Sequence, residues 1–299
     1  MNESLPIFSV VIPTYDSLSF LKKAIQSVLI QTEQNFEIIV VDNNSNDGTQ
    51  EFVRKFQDLR IHLFVVENNG VIAVSRNVGI KNAKGSWVCF LDSDDIWYKD
   101  KLEICLSFIN EKVDVIYHDL QKCGKVSFLE RKILGSRRLH NPVMEDLLVN
   151  GNAINNSSAV VRRAMLKKIN YLDESPHMVA AEDYNAWLKI SEKSDQFLYI
   201  PKVLGEYFIG EKNSSNKNMF NCSIASSADF VKYLNEKQRS KYNARMAYTS
   251  GRYNYINKDY KSAVTYLSNS AKSTSIRIKL RSIFMLLLIY LDKVLSALI

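Results

Sequence analysis

An α/β fold on a mainly parallel sheet, followed by a basic helical extension, is what this 299-residue sequence predicts. Three observations carry the prediction. Short β-rich apolar runs alternate with helix-period segments through roughly the first 120 residues, the pattern of βαβ units. Each apolar run ends in polar residues, as strands do at the ligand-binding edge of an open parallel sheet. The basic charge is confined to the end of the chain: residues 1–210 hold 24 Lys and Arg against 27 Asp and Glu, and residues 211–299 hold 15 against 5.

The elements follow in order. FSVVIPTY (8–15) reads as a first strand, stopped at Pro13, which cannot donate to a ladder. SLSFLKKAIQSVLIQT then sets Leu18, Leu21, Ala24, Ile25, Val28 and Leu29 at helical spacing, with Asp16 or Ser17 as its cap. FEIIVVDNNS is a second strand ending in a polar turn, and DGTQEFVRKFQD a helix. IHLFVVEN is a third strand, leading through a glycine turn into the amphipathic VIAVSRNVGIKNA. GSWVCFLD is a fourth, and DDIWYKDKLEICLSFI reads as the helix after it, with Asp95 at its start. The polar strand ends are Thr14, Tyr15 and Asp16; Asp42, Asn43 and Asn44; Asn68 and Asn69; and Asp92 to Asp95.

The last of these sets a chemical problem. Three carboxylates within four residues raise one another's pKa, and desolvation adds to the cost, so the cluster calls for a cation. Capping the following helix needs one Asp and leaves two; hard oxygen ligands suit Mg2+ or Mn2+. A dinucleotide-binding turn would carry GxGxxG after the first strand, yet IPTYDSLSF has no glycine, and the GxxxxGK[ST] phosphate loop is missing too. If the ligand is a nucleotide, a divalent ion on the Asp cluster holds its diphosphate, and Arg76 adds a fixed positive charge.

Composition narrows the class further. With 46% hydrophobic and 24% charged residues, the chain has ample material for a core. Cys89, Cys105, Cys123 and Cys222 show no CxxC spacing and the four histidines are scattered, so reduced thiols are expected and no zinc pattern exists. The start, MNESLPIFSVVIP, lacks the basic and long apolar stretches of a secretory signal, and a cytoplasmic protein is expected.

Five segments in order, VVIPTYD, VVDNNSNDGT, NNGVIAVSRNVGI, FLDSDD and AAEDYNAWLKI, resemble the family 2 inverting glycosyltransferases of the bacterial surface-polysaccharide type, over residues 7 to 207. The resemblance implies a GT-A, Rossmann-like nucleotide-binding domain with a mixed, mainly parallel central sheet over residues 1–210. It implies that Pro13 and Tyr15 contact the nucleoside, that Asp42 reads the N3–H edge of a uracil or thymine, and that Arg76 lies near base and phosphates. Asp92 is then placed near ribose and metal, with Ser93 beside it on the donor. Asp94 is the principal ligand of Mn2+ or Mg2+. Asp183 becomes the catalytic base, with Glu182 contacting the acceptor or orienting the site. Glu182 and Asp183 also suit a helix N-terminus on electrostatic grounds alone.

The implied reaction moves a hexose or N-acetylhexosamine from a nucleotide-diphosphate sugar, UDP-linked by expectation, to a saccharide hydroxyl on a lipid diphosphate. Asn155 to Ser158 are candidates for lining the sugar site, and Trp187 is read as core. The chain departs from the family at Tyr207-Phe208-Ile209-Gly210, where many members carry Tyr-Arg-x-His; Lys212 or Lys217 would have to substitute at the diphosphate.

Residues 211–299 read as a basic helical region, with a hairpin turned near Asn257. Nine apolar residues run from Ile283 to Leu291, too few to span a bilayer, where about 20 are needed. With Lys272, Arg277, Lys279 and Arg281 upstream, the end reads as a helix in an anionic membrane interface, peripheral at the cytoplasmic face of the inner membrane. Packing on the catalytic domain, or in a homodimer, is the competing account. Nucleic acid is not an expected partner, since no base-stacking platform interleaves the basic residues. The alternatives are a sugar nucleotidyltransferase, disfavoured by the absent phosphate loop, and a catalytically inactive nucleotide- or nucleic-acid-binding protein.

Overall fold

The computed structural model describes residues 5–126, 132–210 and 219–298. The elements run β1 (Phe8–Thr14), α1 (Leu18–Leu29), β2 (Phe36–Asp42), α2 (Thr49–Arg54), β3 (Ile61–Val65), α3 (Ile72–Asn82) and β4 (Trp87–Phe90). They continue with β5 (Ile96–Trp97), α4 (Lys101–Phe108), β6 (Val115–Gly124), β7 (Ile133–Leu134), α5 (Val143–Asn150), β8 (Val160–Arg162), α6 (Arg163–Lys168), α7 (Glu182–Ser191) and β9 (Phe197–Ile209). The extension is α8 (Met219–Ala228), α9 (Glu236–Ile256), α10 (Tyr260–Ser270) and α11 (Ile276–Leu298).

One mixed sheet orders the strands β3-β2-β1-β4-β8-β6-β9-β5, with β7 on β6. The β3-β2-β1-β4 part is parallel throughout, while β8 runs antiparallel to both β4 and β6. Both faces are covered, which is why the strands read as unbroken apolar runs. Val10, Ile12, Ile38 and Val40 pack with Leu21, Ile25 and Val28 of α1. Val11, Ile39 and Val41 face the other way, in a core shared with α3, α5 and α7. Gly79 lets α3 approach β1 closely, since a Cβ there would overlap the Val11 side chain.

Pro13 sits inside β1 without breaking it. The Val11 carbonyl accepts from Leu91 N at 3.1 Å and the Thr14 carbonyl accepts from Asn43 N at 2.9 Å, so alternate residues face β4 and β2. The β4 ladder ends at Val11, so the missing N–H of Pro13 points where β4 has already left.

Two local expectations are corrected. The segment after Asp95 does not enter a helix: Ile96 and Trp97 pair antiparallel with Glu206 and Gly205 of β9, and helix α4 begins only at Lys101. Asp95 caps nothing there; its Oδ1 accepts from Phe208 N at 2.9 Å. Nor do Asp16 and Ser17 cap α1. Ser17 stands at the N-cap position without a capping bond, and Asp47 Oδ2 accepts from Leu18 N at 2.8 Å. The α9–α10 hairpin turns at Asn257 as expected. All four cysteines are free.

The extension is not a loose appendage. Phe230, Leu234, Tyr242 and Met246 belong to the main core, while Ala263, Leu267, Met285 and Ile289 form a small core of their own.

Candidate active site

At the carboxyl ends of β1 to β3 the connecting loops are hydrogen-bonded to one another. Asp16 N donates to Ser45 Oγ and Asn46 N to Asp16 Oδ1, both at 2.9 Å. Asn68 N donates to Asn43 Oδ1 at 2.7 Å. Asp16, Asn44 and Asn69 take left-handed φ of 41°, 55° and 50°, a conformation that Asp and Asn tolerate better than most side chains. Within this rim Asp42 is fully buried: Oδ2 accepts from Ser45 N and Gln50 Nε2, each at 3.0 Å, and Oδ1 from Ser45 Oγ. Pro13 is buried, and Tyr15 is exposed.

The fourth strand end joins the same edge. Ser93 Oγ lies 3.1 Å from Ser17 Oγ, which lies 2.9 Å from Thr14 Oγ1. Burial and the Asp92 charge push the Asp94 carboxyl up to about 6, and burial with both neighbours' charges pushes Asp95 well above the usual carboxylate range. Asp92 is held differently. Its Oδ1 accepts from Arg76 Nη2 at 2.6 Å and from Asn156 Nδ2 at 3.0 Å, and its N donates to Ser157 Oγ at 3.0 Å.

Arg76 connects the two acidic motifs. The side chain is buried on α3, with Nη2 on Asp92 and Nη1 on Glu182 Oε1. Burial opposes its charge, but the Asp92 and Glu182 carboxylates outweigh this and raise its pKa. Glu182 and Asp183 open α7, as the helix-dipole reading also required. Burial and the Glu182 charge push Asp183 up to about 7. Just before them Ala180 has φ of 67°, a strained value for a residue with a Cβ.

The donor set matches a hard cation only in part. Among the described residues no three His, Cys, Asp or Glu side chains form a group that could hold a metal. Oxygens are nevertheless available, since the buried Asp95 Oδ2 and Glu182 Oε2 have no hydrogen-bond partner. Neither belongs to Asp92 or Asp94, the pair that the resemblance assigns to the metal; that pair alone fits an ion that takes one or two carboxylates and completes its shell from water and phosphate, the habit of Mg2+.

Four residues gain importance from the geometry. Asn156 and Ser157, small polar residues ordinary in any turn, fasten Asp92. The Tyr207 phenol, where the motif departs from the family, is pushed up to about 12 by burial and by Asp95, Asp92, Asp94 and Asp183, so it stands among the site's carboxylates. Lys101 is fully buried, with Nζ 3.1 Å from the centre of the Trp97 ring and 3.4 Å from the Ser157 carbonyl. The sequence offers Asn156 and Ser157 as candidates for lining the sugar site and Tyr207 by its place after the acidic pair; nothing in it hints at Lys101. Trp187 is core, as read. Lys212 and Lys217 lie outside the described residues.

Comparison with known proteins shows the fold and the family. The chain is 30% identical over 229 residues to "Putative teichuronic acid biosynthesis glycosyltransferase TuaG" of Bacillus subtilis, covering 73% of this chain and 85% of that one. It is 30% identical over 185 residues to the Escherichia coli UDP-Glc:alpha-D-GlcNAc-diphosphoundecaprenol beta-1,3-glucosyltransferase WfgD, 62% and 69% of the two chains. It spans only about a fifth of two longer uncharacterized rickettsial glycosyltransferases, 20% of the Rickettsia conorii protein at 45% identity and 18% of the Rickettsia felis protein at 47%. Staphylococcus aureus TarS 1-349 in complex with UDP-GlcNAc superposes with a TM-score of 0.68 at 21% identity, over 95% of this chain and 89% of that one. A Pyrobaculum calidifontis mannosyltransferase in complex with GDP-Man and Mn2+ superposes at 0.62 and 17%, over 92% and 78%. The sequence profile of Glycosyl transferase family 2 matches residues 9–170, more than half of the chain. The shared fold and the matched motifs lead to one conclusion: this chain belongs to glycosyl transferase family 2.

Proposed function

We propose that the chain is an inverting glycosyltransferase that moves a hexose or N-acetylhexosamine from a UDP-linked donor to a hydroxyl of a saccharide on a lipid diphosphate, in surface-polysaccharide assembly. The carrying observation is Arg76, which joins Asp92 of the donor-side cluster to Glu182 of the acceptor-side pair through one guanidinium. Leaving group and base thus belong to one site. The named relatives support the donor and acceptor classes, since TarS is seen with UDP-GlcNAc and WfgD is named for a UDP-Glc donor and a diphosphoundecaprenol acceptor.

In this reading Pro13 and Tyr15 flank the nucleoside and Asp42 accepts from the base N3–H. Asp42 is fully buried beneath the 43–50 loop, so that contact requires the loop to open; Oδ1, bonded only to Ser45 Oγ, keeps room for a second donor. Ser93, Asp92 and Arg76 line the path of the diphosphate. Mn2+ or Mg2+ would be held by Asp94, with Asp92, and would act as a Lewis acid on the departing diphosphate. Asp183 takes the proton of the attacking hydroxyl, and Glu182 orients the acceptor. A base with its pKa near 7 suits proton transfer at neutral pH. The chain divides into a catalytic unit of residues 1–210 and a basic helical unit of 211–299. Among the described residues no helix is long and apolar enough to cross a membrane, and a peripheral position at the cytoplasmic face of the inner membrane serves a lipid-linked acceptor.

The test is nucleoside diphosphate release from UDP-, GDP- and dTDP-sugars, with and without Mn2+ and a lipid-diphosphate saccharide, beside Asp94→Ala and Asp183→Asn. Metal-dependent release from a UDP-sugar, absent in both variants, is expected. Release unchanged by both variants would overturn the assignment.

A further inference from the structure

We propose that α11 lies flat in the surface of an anionic bilayer, with one stripe of its apolar side chains in the acyl layer. The proposal deepens the membrane-surface reading above and rests on it for its purpose; the contact itself needs neither donor nor turnover. Successive helical residues point 100° apart, so the two faces of α11 can be assigned. Ser282, Met285 and Ile289 share one face and are buried on the rest of the extension. Ser282 Oγ lies 2.6 Å from Ser270 Oγ, and the Tyr255 hydroxyl donates to Asp292 Oδ2 at 2.8 Å, which fixes the rotation of α11 on α9 and α10.

The opposite face carries Ile276, Leu280, Ile283, Phe284, Leu287 and Leu291, each between 40% and 70% exposed. An apolar stripe of about four turns on one helix, exposed among the described residues, marks an interaction surface. Its flanks name the partner. At 100° per residue, Lys279 falls on one side of the stripe and Arg277 and Arg281 on the other, all exposed. Between Asp259 and Asp292 the sequence has no acidic residue. A second copy of the chain would therefore bring positive flanks to positive flanks. An anionic lipid surface supplies the opposite charge on both sides and an apolar layer between, the environment of an in-plane amphipathic helix.

Phe284→Trp places a fluorophore on the stripe of the full-length protein. Mixed with vesicles of phosphatidylcholine and phosphatidylglycerol, its emission is expected to shift to the blue and to be quenched by brominated acyl chains. Pure phosphatidylcholine vesicles, or high salt, should remove most of both effects. Leu280→Asp with Leu287→Asp, both at exposed positions, should weaken vesicle co-flotation at least about tenfold, with thermal unfolding and transfer to a soluble acceptor unchanged. The proposal is overturned by absent co-flotation, by co-flotation that survives the double substitution, or by a dimer in solution that the substitution dissolves. Because the vesicles carry no acceptor, failure of the transferase assignment leaves this result untouched, and the reverse holds too.

Discussion

Asp183 and Lys101 are titratable groups placed where water is scarce, and each carries a prediction. Asp183 is raised from 3.8 to about 7 by burial and by Glu182, so its protonated form is favoured in the folded state. The stability that this proton supplies is full below the unfolded value and lost as pH rises through about 7. Asp183→Asn should therefore unfold at a higher temperature than the parent at pH 8, with the gap narrowing as pH falls below about 7 and closing only near the unfolded value of 3.8. In the parent, kcat/KM should rise with pH to a plateau above about 7, an inflection absent from the variant's residual rate. Lys101, lowered to about 8 by burial, clamps the Ser157 carbonyl with Trp97, whose Nε1 donates to the same oxygen at 2.8 Å. Since an apolar isostere often replaces a buried charge at little cost in stability, Lys101→Met should leave the unfolding midpoint nearly unchanged. Donor KM should rise several-fold as the turn holding Asp92 loosens. A fall in stability without a change in KM would mark Lys101 as framework only. The Asp92–Asp95 cluster stands out in the sequence because neighbouring carboxylates are costly, whereas Glu182 and Asp183 are singled out only by the family resemblance and otherwise read as a helix start. Lys101 does not stand out, because its burial depends on Trp97 and Ser157, and the latter lies 56 residues away along the chain.

At the level of elements, what the sequence shows and what it hides divide along the range of the interactions. Strands β1 to β4 are legible as apolar runs and helix α1 by its apolar period, whereas α3 buries Ser75, Arg76 and Asn77 among its apolar residues and carries no such period. The Ile96–Trp97 strand is hidden: two residues have no period, and its partner β9 lies more than a hundred residues on. The cap of α1 is hidden for the same reason, because Asp47 reaches it from the next loop. Gly79 tests how tightly these elements are set. Gly79→Ala, inside a helix where alanine is intrinsically favoured, should destabilise by about 1–3 kcal/mol by overpacking against Val11. Equilibrium denaturation measures this, and a gain in stability would mean that α3 can move off β1.

For the whole molecule, the proposed boundary between catalytic unit and extension can be tested by truncation. A chain ending at residue 210 lacks Phe230, Leu234, Tyr242 and Met246 of the main core and should aggregate without a cooperative unfolding transition. One ending at residue 274 keeps them and loses only α11, so soluble yield and thermal unfolding should separate the two truncations. The charge totals of the two units, −3 and +10, make the chain electrically polar along its own length. Near a negatively charged surface such a body feels a torque as well as an attraction. Under the proposed function, its encounters would be biased toward one end before any side chain touches lipid, and its search for the acceptor would be reduced from three dimensions to two.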